Sequence, residues 1–363
     1  MTFPLAYCPH GDEVLERLRA LFERRDPGLV LATMGVQSTT VQELTRGQPA
    51  GYCSYPDPKE RARFWSALLR ERAAIHDDTI PSAYLSEMDQ GLYGGLLGGE
   101  VLFLYDPGTS WVSSMVRPIL QDWSELDSLS FSTDSEWFRR YERQMDVFVE
   151  ATRGKFGISH FILINGLNLV FELVGATEAY RALIDRPETV RRALELAHRL
   201  NLTVQSAFFK HVPLLEGGTC SAMVQWIRGR VITESVDPFH MTSVRYFEEW
   251  GRPVLERIFA EFDGGVVHIH GNGRHILKAV ATVKGLKAIA LGDDRGYPLA
   301  IDVLPDLRRE AADLPLTVSV PFDVFQRLLR ERRLLGGVLY NVHSVPDVAA
   351  ANRCMELVRA YRA

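Results

Sequence analysis

GVVHIHGN, residues 265–272, is the stretch on which the fold turns. Its apolar start reads as a short strand, and Gly271-Asn272 supplies the tight turn by which a strand hands over to a following helix. Side chains at i and i+2 share one face of a strand, so His268 and His270 are expected side by side at its C-terminal end. Two imidazoles there are metal ligands, a proton-transfer pair, or satisfied polar residues at the mouth of the fold.

Eight more runs of the same kind lie around it: LVLATMG (29–35), SAYLSEMD (82–89), HFILING (160–166), CSAMVQWI (220–227), VITESVD (231–237), LKAIALGDD (286–294), LTVSVP (316–321) and GVLYNVHS (337–344). Most are near-continuously apolar, as suits parallel strands covered by helices. Amphipathic helices are expected between runs, over 57–76, from Pro187 through Ala197, and from about 242 to 262. The runs tend to end in polar residues: Glu87 and Asp89, Asn165, Glu234 and Asp237, Asp293 and Asp294, His343. Barrels of alternating strands and helices carry their chemistry at those ends. The expectation is an α/β chain, a single (β/α)8 TIM barrel over 1–363, in which 1–76 form an N-terminal helical extension plus the first strand.

Of 363 residues, 46% are hydrophobic and 24% charged, with a net charge of -5, so neither disorder nor a basic nucleic-acid face is expected. The longest apolar stretch, 161–176, is broken by Asn165, Asn168 and Glu172 and is a poor membrane span. The start of the chain has no basic, apolar signal pattern, and four scattered cysteines form no CxxC pair, which points to the cytoplasm. The Gly-rich stretch 91–100 reads as a flexible loop. The basic run from Arg327 to Arg333 reads as the solvated face of a helix carrying Phe325, Leu328 and Leu329.

A third histidine, His343, ends the last run. If barrel closure brings it to His268 and His270, three nitrogens could hold Zn²⁺ with an open fourth position, and Glu234 is a candidate fourth ligand. Asp89 and Glu234 are the carboxylates with the strongest claim to the site. Capping and turn formation suffice for Asp293 and Asp294, and His240, near Asp237, is adjacent to the same region.

These segments resemble the uroporphyrinogen decarboxylase superfamily, which joins haem-pathway decarboxylases to zinc-dependent methyltransferases acting on corrinoid proteins and thiols. The likeness runs through DQGLYGGLLGGEV (89–101), GISHFILINGLNLVFELVGATEAYRALIDRPETV (157–190), VITESVDPFHMTSVRYFEEWGRPVLERI (231–258), VVHIHGN (266–272) and GVLYNVHSVPDVAAAN (337–352). VVHIHGN is similar to the methyltransferase zinc motif HxCGN, with His270 where the cysteine would stand. The resemblance implies a (β/α)8 barrel, a homodimer by analogy, and catalytic roles for Asp89, Ser235 and His343.

Two departures weigh against a tetrapyrrole decarboxylase. The run ATMGVQSTTVQ (32–42) has no arginine where decarboxylases clamp substrate carboxylates, and Phe171 stands where a pocket Tyr is expected. The leading expectation is zinc-dependent methyl transfer at His268, His270 and His343, on a small methylated compound or a partner protein carrying a corrinoid. The alternatives are a metal-free decarboxylase using Asp89, and metal-assisted hydrolase or lyase chemistry.

Overall fold

The computed structural model describes residues 5–162, 164 and 166–363. Leu163 and Asn165 of the HFILING run, and residues 1–4, lie outside them. The central element is a parallel sheet of six strands: β1 (Val30–Val36), β2 (Ile232–Ser235), β3 (Gly265–Ile269), β4 (Leu286–Leu291), β5 (Leu316–Pro321) and β6 (Val338–Val345). Their order is β1-β6-β5-β4-β3-β2, so the first strand pairs with the last. Two short strands, Ser82–Ala83 and Gly157–Ile158, pair in parallel with each other, and His160 bridges in parallel to Ser221. The α/β class is as expected, and the arrangement is consistent with a TIM-like fold.

Alternation along the strands builds two cores from one sheet. Ala32, Val267, Ile289 and Tyr340 face the helical layer. Their neighbours Leu31, Val266, Ala288 and Leu339 face the other way and pack with Trp226, Leu15 and Leu18. Leu15 and Leu18 belong to the N-terminal helix Gly11–Phe22, which therefore caps the sheet's inner face near the start of the strands. The helix is fastened by Arg17, which donates to both oxygens of the fully buried Asp78 at 2.6 and 3.1 Å and to the Val30 carbonyl at 2.9 Å. Asp78 also accepts from the Ala32 amide at 2.9 Å, so a single carboxylate joins helix to strand.

Three expectations are corrected. CSAMVQWI is not one strand but an antiparallel hairpin, Gly218–Ser221 with Gln225–Arg228, turned with Gln225 at φ 65°. SAYLSEMD is extended only at Ser82–Ala83 before a short helical turn at Ser86–Met88. The Gly-rich stretch is no flexible loop: Gln90–Leu96 is a helix lying on an antiparallel sheet of Gly51–Cys53, Val101–Asp106 and Trp111–Val116. Its glycines permit that close approach, since a Cβ on Gly91 would stand 2.8 Å from Val101 and 2.9 Å from Ser114. The basic run begins on a helix, Phe322–Arg330, with Phe325 and Leu329 buried beneath it, but Arg332 and Arg333 lie beyond the helix end. Among the described residues no helix is long and apolar enough to cross a membrane.

Removing the Asp78 carboxylate strands a largely buried guanidinium. Asp78→Ala is expected to lower unfolding free energy by about 3–5 kcal/mol, far more than removal of the exposed partner in Arg192–Asp127. Urea denaturation of the two variants measures the difference.

Candidate functional site

Register decides which side chains meet. In the pairing of β2 with β3, Ser235 stands opposite His268 and Glu234 opposite Val267. Ser235 and His268 share one face, and with Asp237 and His270 they line a cavity of about 350 Å³ at the C-terminal ends of these strands. Its other lining residues include Asn168, Phe171 and Glu172 of the helix Gly166–Val174, Met115 of the antiparallel sheet, and Met223 in the turn between Gly218–Ser221 and Gln225–Arg228. Among the described residues no lysine or arginine lines it.

His268 and His270 do stand together, edge to face with ring centres 4.4 Å apart. His270 Nδ1 lies 3.1 Å from Oδ1 of Asp294, whose Oδ2 accepts from the Asn272 amide at 3.0 Å. With Nδ1–H donating to that carboxylate, Nε2 keeps its lone pair and points toward Asp237 Oδ1, 3.9 Å away. Burial opposes the charge on Asp294, but the Asn272 amide and His270 outweigh it and hold the carboxyl below its usual range. His268 is pushed down to about 4, chiefly by burial and further by His270, so it is neutral near pH 7. His240 is likewise lowered to about 4 by burial, against the pull of Asp237, whose Oδ1 lies 3.7 Å from its Nδ1. The arrangement is an imidazole oriented by a carboxylate beside a second, neutral imidazole. It can accept or deliver a proton at His270 Nε2.

The remaining candidates fall elsewhere. His343 shares the face of Leu339 and Asn341 on β6, but it is exposed at the strand's end and its Nδ1 meets Ser344 Oγ at 3.1 Å. In the sheet order two strands, β5 and β4, separate β6 from β3, and His343 does not line the cavity that holds His268 and His270. Glu234 is turned to the helical layer, where Asn201 donates to it at 2.8 Å; burial pushes its carboxyl up to about 8 despite that bond. It cannot act as a fourth ligand beside His268, because consecutive strand residues face opposite sides. Asp89 is buried and accepts from the Tyr84 hydroxyl at 2.9 Å, one residue before Gln90 of the cavity wall. Asp293 has the structural role expected, binding Arg274 at 2.6 Å and the Ala300 amide at 2.7 Å.

The zinc set expected from strand spacing and barrel closure, His268, His270 and His343 with Glu234, does not fit these positions. Among the described residues no three His, Cys, Asp or Glu side chains converge in a way that could hold a metal ion. Sequence reasoning gave Asp294 a capping role, yet it orients His270, and it passed over Glu172 as a site residue. The spacing GDD after a strand was the available sign for the first. Glu172 carried none, being a lone acid in an apolar helix, Gly166–Val174.

Gly292 sits under the imidazole pair, where an added Cβ would stand 3.1 Å from His268 Cε1 and 3.4 Å from His270 Nδ1. Gly292→Ala should displace the rings by a few tenths of an ångström, with the fold intact and the His270 resonances in histidine NMR shifted. A second prediction concerns acid. The unfolded imidazole of His268 takes its proton near 6.5 and the folded one only near 4, so stability present above pH 6.5 is lost as pH falls toward 4. His268→Gln should flatten the stability profile across that window, as read by denaturation at a series of pH values.

No protein-family model matches the sequence, and no curated protein is similar enough to match it. Among solved structures, the chain is similar to a methyltransferase from Methanosarcina mazei, with a TM-score of 0.62 over 96% of this chain and 98% of that one at 14% identity. At that identity the likeness is one of fold.

Proposed function

We propose that the chain is an enzyme of the uroporphyrinogen decarboxylase superfamily, a single (β/α)8 barrel that transfers a methyl group from a small methylated compound. The observation that carries this reading is the cavity at the strand ends in which His270, oriented by Asp294, stands beside His268 and Ser235. The likeness in fold to a structure named a methyltransferase supports it. The acceptor is a thiol or a partner protein carrying a corrinoid. With a thiol, the sulfur electron pair forms the new bond to the methyl carbon while the bond to the donor heteroatom breaks and its pair stays on that atom. His270 Nε2 takes the thiol proton, and Asp294 stabilises the imidazolium so formed.

A tetrapyrrole decarboxylase fits less well. A substrate bearing many carboxylates requires fixed cations, and this cavity wall has none, while it does have Glu172 and Asp237. Metal-assisted hydrolysis loses its basis with the ligand set.

The test is a panel of methylated amines, sulfides and ethers incubated with the protein and a thiol, with product methyl thioether followed by NMR. His270→Ala and Asp294→Asn should each lower kcat/KM by about 10²–10⁴. Carbon dioxide release from a porphyrinogen carboxylate without any methyl transfer would overturn the reading.

A further inference from the structure

We propose that the methyl donor taken by this cavity is cationic, a compound whose methyl groups sit on a tertiary or quaternary ammonium nitrogen. The inference rests on the methyl-transfer reading for the fate of the donor, but its binding argument stands on the wall itself. Two carboxylates, Glu172 and Asp237, line the cavity, and no lysine or arginine opposes them. One oxygen of each, Glu172 Oε2 and Asp237 Oδ1, is enclosed and accepts no hydrogen bond, although His240 Nδ1 and His270 Nε2 stand 3.7 and 3.9 Å from Asp237 Oδ1 and the Gly94 amide lies against the Glu172 carboxyl. An enclosed carboxylate oxygen without a donor is costly unless a positive charge comes to it.

A metal ion or lysine-like cation would need several such oxygens or a water-filled channel. A methylated ammonium needs neither. It has few or no N–H groups to satisfy, spreads its charge over methyl groups, and favours aromatic faces and soft apolar walls. Phe171, whose ring meets Tyr180 edge to face at 5.2 Å, lines the cavity together with the thioethers of Met115 and Met223. The phenyl group at 171 lacks a hydroxyl that would otherwise require a partner there. His268, kept neutral by burial, adds no repulsion. Burial raises the Glu172 carboxyl well above its usual range, with the Gly94 amide opposing and Asp89 adding, and a cation beside it would draw it back toward the ionised form. The volume of about 350 Å³ is ample for such a donor.

Calorimetric titration of the full chain with choline, its neutral carbon isostere 3,3-dimethylbutan-1-ol and the anion 3,3-dimethylbutanoate tests this directly. Choline should bind at least about tenfold more tightly than the neutral isostere, and the anion should not bind. Glu172→Gln and Asp237→Asn, checked for folding by thermal melting, should each bring the choline-to-isostere ratio toward one. Equal affinity for choline and isostere, preference for the anion, an unchanged ratio in both variants, or no saturable choline binding would each overturn the proposal. Choline bound without turnover of any methylated donor would instead defeat the methyl-transfer reading and leave this one standing. Turnover of a neutral donor with no ammonium binding would do the reverse.

Discussion

The two-residue period of the parallel strands sets which side chains reach the cavity and which reach the helices. Because β2 and β3 pair with Ser235 against His268, every second residue of these strands is committed to the cavity or to the core below it, and the residues between are committed to the helices. One slip of register would send the imidazole into the helical layer and bring Glu234 to the cavity. The inner face is held below by Leu31, Val266, Ala288 and Leu339 under the N-terminal helix, and Asp78 pins that helix to β1. The polar strand ends can therefore stay open to solvent without loss of the core that fixes them.

On this frame the site is electrostatically lopsided. Carboxylates are plentiful, the imidazole next to them is neutral through burial, and cations are missing from the wall. The His270–Asp294 pair is the group placed to move protons, with Asp237 on the ring's other side. Such a wall disfavours anionic substrates and suits chemistry in which a proton is taken from an incoming nucleophile.

Much of this was legible in the sequence. The HxH spacing predicted a shared face for His268 and His270, and the apolar runs at 29–35, 231–237, 265–272, 286–294, 316–321 and 337–344 each coincide with most or all of a strand of the main sheet. What could not be read was set by long-range packing. The hairpin of Val101–Asp106 and Trp111–Val116 has a turn signal in Asp106-Pro107-Gly108, where Asp106 accepts from the Gly108 amide at 2.9 Å. Its partner Gly51–Cys53 lies some fifty residues away, and the glycines of 91–95 make sense only once that sheet is seen packed against them. His343 occupies the expected strand and face, but its solvent exposure and its bond to Ser344 depend on where β6 ends. That point lies next to the left-handed Ser344, φ 59°, where the register with β1 shifts. Spacing within one strand is a local property; convergence across three strands is not.

In the proposed reading His270 and Asp294 handle the proton and His343 completes no metal site. Zinc uptake tests it most directly: the protein is equilibrated with Zn²⁺, freed of excess metal by gel filtration, and its metal content measured beside the His268→Ala, His270→Ala and His343→Ala variants. No stoichiometric zinc is expected in any of them. About one zinc retained per chain, and lost in all three variants including His343→Ala, would contradict it.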